Sequence, residues 1–208
     1  MNIGFFGGSF DPPHFGHIKS AESFIKEAKL SKLYIIPTYV SPFKKNKTDV
    51  TDSFHRLEMC KLAFSCLKTD KTDIIISDIE TSRKGTSYTI DTVNALCSLH
   101  QNDSLFMYVG TDMFVSLEKW KNSEEIFRKC TVFTKARYSQ DFQTLTEKAE
   151  YYAEKYNAKL VISKDNELVC SSTDIRTHLA ENNILNLQNL LTDDVLRFII
   201  ENKLYNGK

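Results

Sequence analysis

Ile3-Gly4-Phe5-Phe6-Gly7-Gly8-Ser9-Phe10-Asp11-Pro12-Pro13-His14-Phe15-Gly16-His17 decides the fold. A short apolar run ends on two glycines, the chain turns, and two histidines stand at the start of the next segment. The apolar run reads as a strand, and the segment from Phe15 reads as a helix, with Ile18, Ala21, Phe24, Ile25 and Ala28 on one face. A glycine turn between strand and helix lets backbone N–H groups approach an anion at the positive end of the helix. The imidazoles of His14 and His17 would face that anion, and a nucleotide phosphate fits the chemistry.

Beyond this stretch the chain alternates. Strands are expected over Asn2–Phe6, Leu33–Pro37, Asp73–Ile79, Ser104–Val109, Thr131–Thr134 and Lys159–Ser163. Helices are expected over Phe15–Lys29, Thr51–Leu67, Thr89–Leu99, Ser123–Lys129, Thr144–Tyr156, Thr173–Asn182 and Thr192–Tyr205. Near-continuous apolar strands such as Leu105-Phe106-Met107-Tyr108-Val109 predict a parallel sheet buried on both faces. The expected class is therefore α/β: a doubly wound parallel sheet with helices on both faces and a C-terminal helical segment. Ligands of such sheets bind beyond the carboxyl ends of the strands. One domain over 1–208 is expected, with the helices from about 173 packing on the sheet.

Composition narrows the classes. The chain is 41% apolar and 26% charged, and its 27 basic and 27 acidic residues cancel. No overall field points to nucleic acid or to a membrane surface. No apolar run approaches the ~20 residues of a membrane span, and the N-terminus has no signal-peptide pattern. The five cysteines are odd in number and show no C-x-x-C spacing, so a reducing, cytoplasmic setting is expected, without a zinc site. Nothing here excludes a homo-oligomer.

Four further stretches carry chemistry. Ser171-Ser172-Thr173-Asp174-Ile175-Arg176 combines hydroxyls, helix-start N–H groups and a guanidinium, a set suited to polyphosphate. Pro37-Thr38-Tyr39-Val40-Ser41-Pro42-Phe43-Lys44-Lys45 follows the second strand, and Lys44 could reach phosphates from a loop. Lys84-Gly85-Thr86-Ser87-Tyr88-Thr89-Ile90-Asp91-Thr92 joins the third strand to its helix and offers hydroxyls and N–H groups to a carboxylate or amide. Gly110-Thr111-Asp112-Met113 follows the fourth strand, where Asp112 could take ribose or adenine-side hydrogen bonds. Trp120, the only tryptophan, stands downstream and could stack on a flat ring. Arg137 is a further candidate for phosphate or adenine. His55, His100 and His178 have no partner at ligand spacing and read as surface or capping residues. Asp11 reads as holding the turn.

His14-Phe15-Gly16-His17 resembles the H-x-G-H signature of the nucleotidyltransferase superfamily, and Ser171–Arg176 resembles its second signature, S-S-T-x-I-R. Ser87-Tyr88-Thr89-Ile90-Asp91-Thr92 is similar to the S-Y-T-x-D-T stretch of the bacterial nicotinate-nucleotide adenylyltransferases. The resemblance implies a Rossmann-like sheet and transfer of AMP from Mg-ATP to nicotinate mononucleotide, giving deamido-NAD and pyrophosphate. It implies that His14, His17, Lys44 and Arg176 serve the reacting phosphates. Gly7, Gly8, Ser9, Phe10, Gly16, Gly110, Asp112, Ser172 and Thr173 would hold ATP. Thr86, Ser87, Tyr88, Thr89 and Trp120 would hold the mononucleotide. Magnesium is implied only as the ion ATP carries. The family's second-strand loop usually ends Pro-His-Lys, and here Phe43 replaces the histidine.

Four alternatives belong beside this reading. A pantetheine-phosphate adenylyltransferase shares the fold but is usually shorter and lacks the S-Y-T-x-D-T stretch; a glycerol-phosphate cytidylyltransferase is disfavoured on the same grounds. A non-catalytic nucleotide sensor would keep the fold without the chemistry; both histidines and Arg176 are present, which speaks against it. An aminoacyl-tRNA synthetase fragment is disfavoured by the absence of K-M-S-K-S and by the neutral charge.

Overall fold

Each strand alternates its side chains between two apolar faces, and that alternation builds the three-layer structure. The computed structural model describes residues 1–43, 50–67, 69, 71–136, 138, 140–163 and 170–206. Lys44 and Arg137 lie outside the described residues. Six strands form one parallel sheet: β1 (Asn2–Gly8), β2 (Lys32–Pro37), β3 (Asp73–Ile76), β4 (Ser104–Tyr108), β5 (Cys130–Lys135) and β6 (Lys159–Ser163). Their spatial order is β3-β2-β1-β4-β5-β6. The chain winds one way from β1 through β3 and then crosses to the other side of β1. The crevice between β1 and β4 is therefore the switch point at which ligands of such sheets bind.

Phe6, Leu33, Ile35, Tyr108 and Phe133 point to one face. There they meet α1 (Phe15–Glu27), α2 (Ser53–Phe64), α8 (Ser172–Ala180) and α9 (Asp193–Glu201) through Ile18, Phe24, Met59, Phe64, Ile175, Leu179, Val195 and Ile199. Ile3, Phe5, Ile36, Leu105, Met107 and Val132 point to the other face. They meet α4 (Thr89–Leu99), α5 (Thr111–Val115), α6 (Ser123–Lys129) and α7 (Asp141–Tyr156). A Cβ on Gly4 would stand 2.3 Å from Leu30 Cδ1 and 3.0 Å from Phe24 Cε1. A larger residue here would force the buried Leu30 and Phe24 side chains to move.

Several boundaries differ from expectation. The expected strand Asp73–Ile79 stops at Ile76, and a short helix α3 (Ile79–Arg83) follows. Its start is wrapped by polar side chains: Ser82 Oγ donates to Asp78 Oδ2 at 2.6 Å, and Thr81 Oγ1 donates to the Asp78 carbonyl at 3.0 Å. Gly85 thus follows a helix, and its φ of +72° continues a left-handed turn begun at Lys84. The helix expected to Tyr205 ends at Glu201, because Lys203 and Tyr205 both adopt positive φ. That turn sends Tyr205 back to the β1–α1 loop. No helix among the described residues is long and apolar enough to cross a membrane.

Candidate active site

β1 ends at Gly8, where the backbone leaves the sheet beside the end of β2: the Thr38 N–H donates to the Gly8 carbonyl at 2.9 Å. Phe10, at φ 47°, tucks its ring against Gly8 and is buried. Asp11 is buried too, and it accepts a hydrogen bond from the Tyr205 hydroxyl at 2.8 Å. The loop is therefore tied to the C-terminal segment before it delivers His14 to the N-cap of α1.

The two histidines are stacked, with ring centroids 3.7 Å apart. The His14 N–H donates to His17 Nδ1 at 3.2 Å. A neutral ring that accepts at Nδ1 carries its proton on Nε2, so His17 keeps an N–H donor there. Phe10 meets the His17 ring edge-on at 4.9 Å. His14 is buried. Gly16 makes this stacking feasible: a Cβ there would meet the His14 ring at 3.0 Å and Cys170 Cβ at 3.2 Å. The space beside Gly16 is thus taken by His14 and Cys170. Burial pushes the Cys170 thiol up, which disfavours a reactive thiolate.

The second phosphate-like motif lies against the first. Ser171 caps α8, its Oγ accepting from the Thr173 and Asp174 N–H groups at 3.2 and 3.5 Å. Ser172 Oγ donates to the Pro12 carbonyl at 2.9 Å. Arg176 donates to the Asp11 carbonyl at 2.8 Å and to Thr173 Oγ1 at 3.2 Å. Residues more than 150 positions apart in sequence thus share one edge of the sheet, holding His14, His17, Ser172, Thr173 and Arg176 near one another.

Sequence reading missed Arg56, which braces this edge. It is fully buried, and its guanidinium donates to the carbonyls of Thr51, Ser9, Thr38 and Tyr39 at 2.8, 2.7, 2.6 and 3.1 Å. Burial pulls its pKa below the usual arginine value, and nearby Asp11 opposes that pull. The clue was present: Arg56 falls on the apolar stripe of α2 with Met59, Cys60 and Ala63. A charge on a buried helix face needs partners.

The cleft opens beside these motifs. Its volume is about 640 Å³, and its walls include Gly7, Gly8, Thr38, Phe43, Glu80, Ser87, Tyr88, Thr89, Met113, Trp120 and Lys121. Two loops are zipped together along one wall. The Ser87 N–H donates to the Val40 carbonyl, and the Tyr39 N–H donates to Ser87 Oγ, both at 2.9 Å. Ser87 is buried and Thr86 half-buried. Tyr88 is the N-cap of α4 without a side-chain cap bond. Beneath it, buried Glu80 accepts from Thr92 Oγ1 at 2.6 Å. Burial pushes the Glu80 carboxyl up, while hydrogen bonds from Thr92 and Ser87 pull the other way.

Across the cleft, Trp120 sits in a tight turn. Its N–H donates to the Leu117 carbonyl, and Ser123 Oγ donates to the Glu118 carbonyl at 2.9 Å. Phe43, which replaces the family's histidine, lies 5.9 Å from Trp120 ring to ring and is exposed. The Trp120 indole nitrogen is buried without a hydrogen-bond partner among the described residues. Gly110 caps α5, Thr111 Oγ1 donates to the Lys135 carbonyl at 2.8 Å, and Asp112 is exposed in the first turn. His100 is taken up structurally, 2.9 Å from the Tyr34 hydroxyl and 3.3 Å from Asp103. His55 packs edge-on against Phe54 and Phe198.

The cytidylyltransferase-like family pattern matches residues 5–178. The nicotinate-nucleotide adenylyltransferase of Bacillus subtilis is 43% identical over 124 residues, 60% of this chain and 63% of that protein, so this match spans less than two thirds of either. A probable nicotinate-nucleotide adenylyltransferase of Carboxydothermus hydrogenoformans is 31% identical over 203 residues, covering 98% of this chain and 97% of that one. A nicotinic acid mononucleotide adenylyltransferase of Plasmodium falciparum, solved in complex with NaAD, covers 98% of this chain and 97% of its own with a TM-score of 0.76. Its 20% identity makes this a likeness of fold.

Proposed function

This chain belongs to the cytidylyltransferase-like family and, within it, to the nicotinate-nucleotide adenylyltransferases; on that premise we propose that it transfers AMP from Mg-ATP to nicotinate mononucleotide at the cleft between β1 and β4. The observation that carries the reading is the joining of the two phosphate motifs, with Arg176 and Ser172 held to the loop that presents His14 and His17.

The step is a direct displacement. An oxygen of the mononucleotide phosphate forms a bond to the α-phosphorus of ATP. The bond from that phosphorus to the α–β bridging oxygen breaks, and its electron pair leaves with pyrophosphate. A phosphate is already a nucleophile, so the protein has to position and to neutralise charge, without a general base. His17 donates from Nε2–H to the reacting phosphates, and His14 stands beside it. Ser172, Thr173 and Arg176 bind the β- and γ-phosphates. Lys44, outside the described residues, would add charge. Gly7, Gly8, Ser9, Phe10 and Gly16 form the floor under the triphosphate, while Gly110 and Asp112 take the adenosine side. Thr86, Ser87, Tyr88, Thr89 and Trp120 form the mononucleotide end. Ser87 acts there by holding its loop. Magnesium arrives on ATP, whose own oxygens suit it.

The chain 1–208 works as one unit in this reading, since α8 and α9 share a core with β1, β2 and α1. All five cysteines are free, which fits the cytoplasm of a reducing cell. The test is pyrophosphate release with Mg-ATP and, in parallel, nicotinate mononucleotide, nicotinamide mononucleotide and phosphopantetheine. The nicotinate form is expected to be used best. Release with phosphopantetheine alone would overturn the substrate, and release with none would leave a nucleotide sensor.

A further inference from the structure

We infer that Lys121 supplies the positive charge by which the cleft prefers a pyridine carboxylate over a carboxamide. The inference rests on reading the cleft as the mononucleotide site.

Lys121 follows Trp120 directly and borders the same cleft as Tyr88 and Thr89. Its ammonium lies over the Tyr88 ring, 4.3 Å from the centroid. That position is fixed from behind. The turn carrying Trp120 is closed by Ser123, and Asn122 takes a left-handed conformation at φ 53°. The Lys121 backbone is thus held while its long stem can swing.

Its surroundings differ from those of the lysines that are already paired. Lys19, Lys61, Lys129 and Lys148 each hold a glutamate oxygen at 2.6–2.9 Å. Among the described residues Lys121 has no carboxylate partner, and its ammonium rests on the face of Tyr88. Tyr88 is half-buried, and a cation on its ring face makes a weaker contact than an ion pair, so the ammonium can take a carboxylate partner instead. The first turn of α4 starts at that same tyrosine without a side-chain cap, so the local field also favours an anion.

The substrate end that meets Lys121 follows from geometry. His14, His17, Ser172 and Arg176 define the phosphate end around the β1–α1 loop. Lys121 stands with Trp120 at the other end, where the base would stack. A nicotinate ring brings a carboxylate there and a nicotinamide ring brings a neutral amide. An ammonium makes a charge-assisted bond with the first and an ordinary one with the second. Buried Glu80 borders the same cleft and would repel a carboxylate when ionised, which makes a nearby cation more necessary.

The experiment is the ratio of kcat/KM for nicotinate to nicotinamide mononucleotide, at saturating Mg-ATP, in the full-length protein. Lys121→Gln is expected to lower the ratio about tenfold, through KM for the acid, the scale of one partly screened charge-assisted bond. Lys121→Arg is expected to restore most of it. Lys119 borders the cleft as well, and Lys119→Gln should move the ratio less than about twofold. A ratio unmoved by Lys121→Gln in a protein that melts like the parent overturns the inference. A parallel rise in KM for both nucleotides overturns it too, because that would put Lys121 on the phosphate they share. If the parent protein uses neither pyridine nucleotide, the functional reading itself has failed.

Discussion

In the proposed reading one end of the cleft takes phosphates and the other takes the pyridine ring, and the two are built differently. The phosphate end is sewn shut by cations on backbone carbonyls: Arg56 reaches four of them, and Arg176 reaches Asp11. The pyridine end is held by lighter means. Its loops meet through Ser87, and on its aromatic wall the exposed Phe43 meets the Trp120 ring while Lys121 lies over Tyr88. The difference matches what each end has to do. A phosphate transfer needs donors fixed to fractions of an ångström, and reorganisation during the step would waste their field. Recognition of a base needs a flat surface and a polar group or two, and tolerates adjustment.

The largest expected effect breaks the phosphate end. His17→Ala removes a preorganised donor and should lower kcat by ~10² to 10³, with a smaller effect on KM. Steady-state pyrophosphate release measures it, and retained kcat would take His17 out of the reaction. The same substitution also removes the Nδ1 acceptor of the His14 N–H. A thermal melt of the variant therefore separates a lost donor from a loosened loop.

A smaller effect is expected at the pyridine end. Trp120→Ala removes a stacking surface, worth about 1 kcal/mol and so roughly fivefold in binding. KM for the mononucleotide should rise while KM for ATP stays within about twofold. Equal rises for both substrates would mean that Trp120 supports the cleft as a whole, and the contrast between the ends would be lost.

The two ends also differed in how legible they were. The phosphate end is written in local sequence. Glycines, histidines and a capped S-S-T start are short-range signals of a turn and a helix terminus, and both motifs meet at the expected edge. The sheet was legible for the same reason: Thr89–Leu99, Ser123–Lys129 and Lys159–Ser163 have the expected bounds. Helices of five residues, Ile79–Arg83 and Thr111–Val115, are too short to show a 3.6 period, so they read as loop. Tyr205 could not be read as a partner of Asp11, because the pairing joins opposite ends of the chain through a turn at positive φ. Lys121 was equally hidden. In sequence it is one lysine in a polar stretch, and its meaning comes from the turn that sets it against Tyr88. Arg56 alone could have been found, as a charge on an apolar helix stripe.

The smallest expected effect concerns what lies under the pyridine end. Where the phosphate end buries a cation among carbonyls, this end buries a carboxylate, Glu80, against hydroxyls. Its ordinary value is 4.5, and burial raises it in the folded protein. Between those two values the folded state keeps a proton that the unfolded state has lost. Stability contributed by this group is then greatest below the ordinary value and falls as pH rises through the raised one. Glu80→Gln stays neutral and can still accept from Thr92. Relative to the parent, the variant should gain stability as pH rises from the ordinary value of 4.5 through the raised one, by of order 1 kcal/mol for each unit of upward shift. Urea denaturation of the two proteins at several pH values reads this difference directly. A difference flat with pH would mean that Glu80 ionises as freely as an exposed carboxyl, leaving the pyridine end with a fixed negative charge beneath it. A difference of the expected sign means that Glu80 holds its proton to a higher pH than an exposed carboxyl, as its burial beneath this end requires.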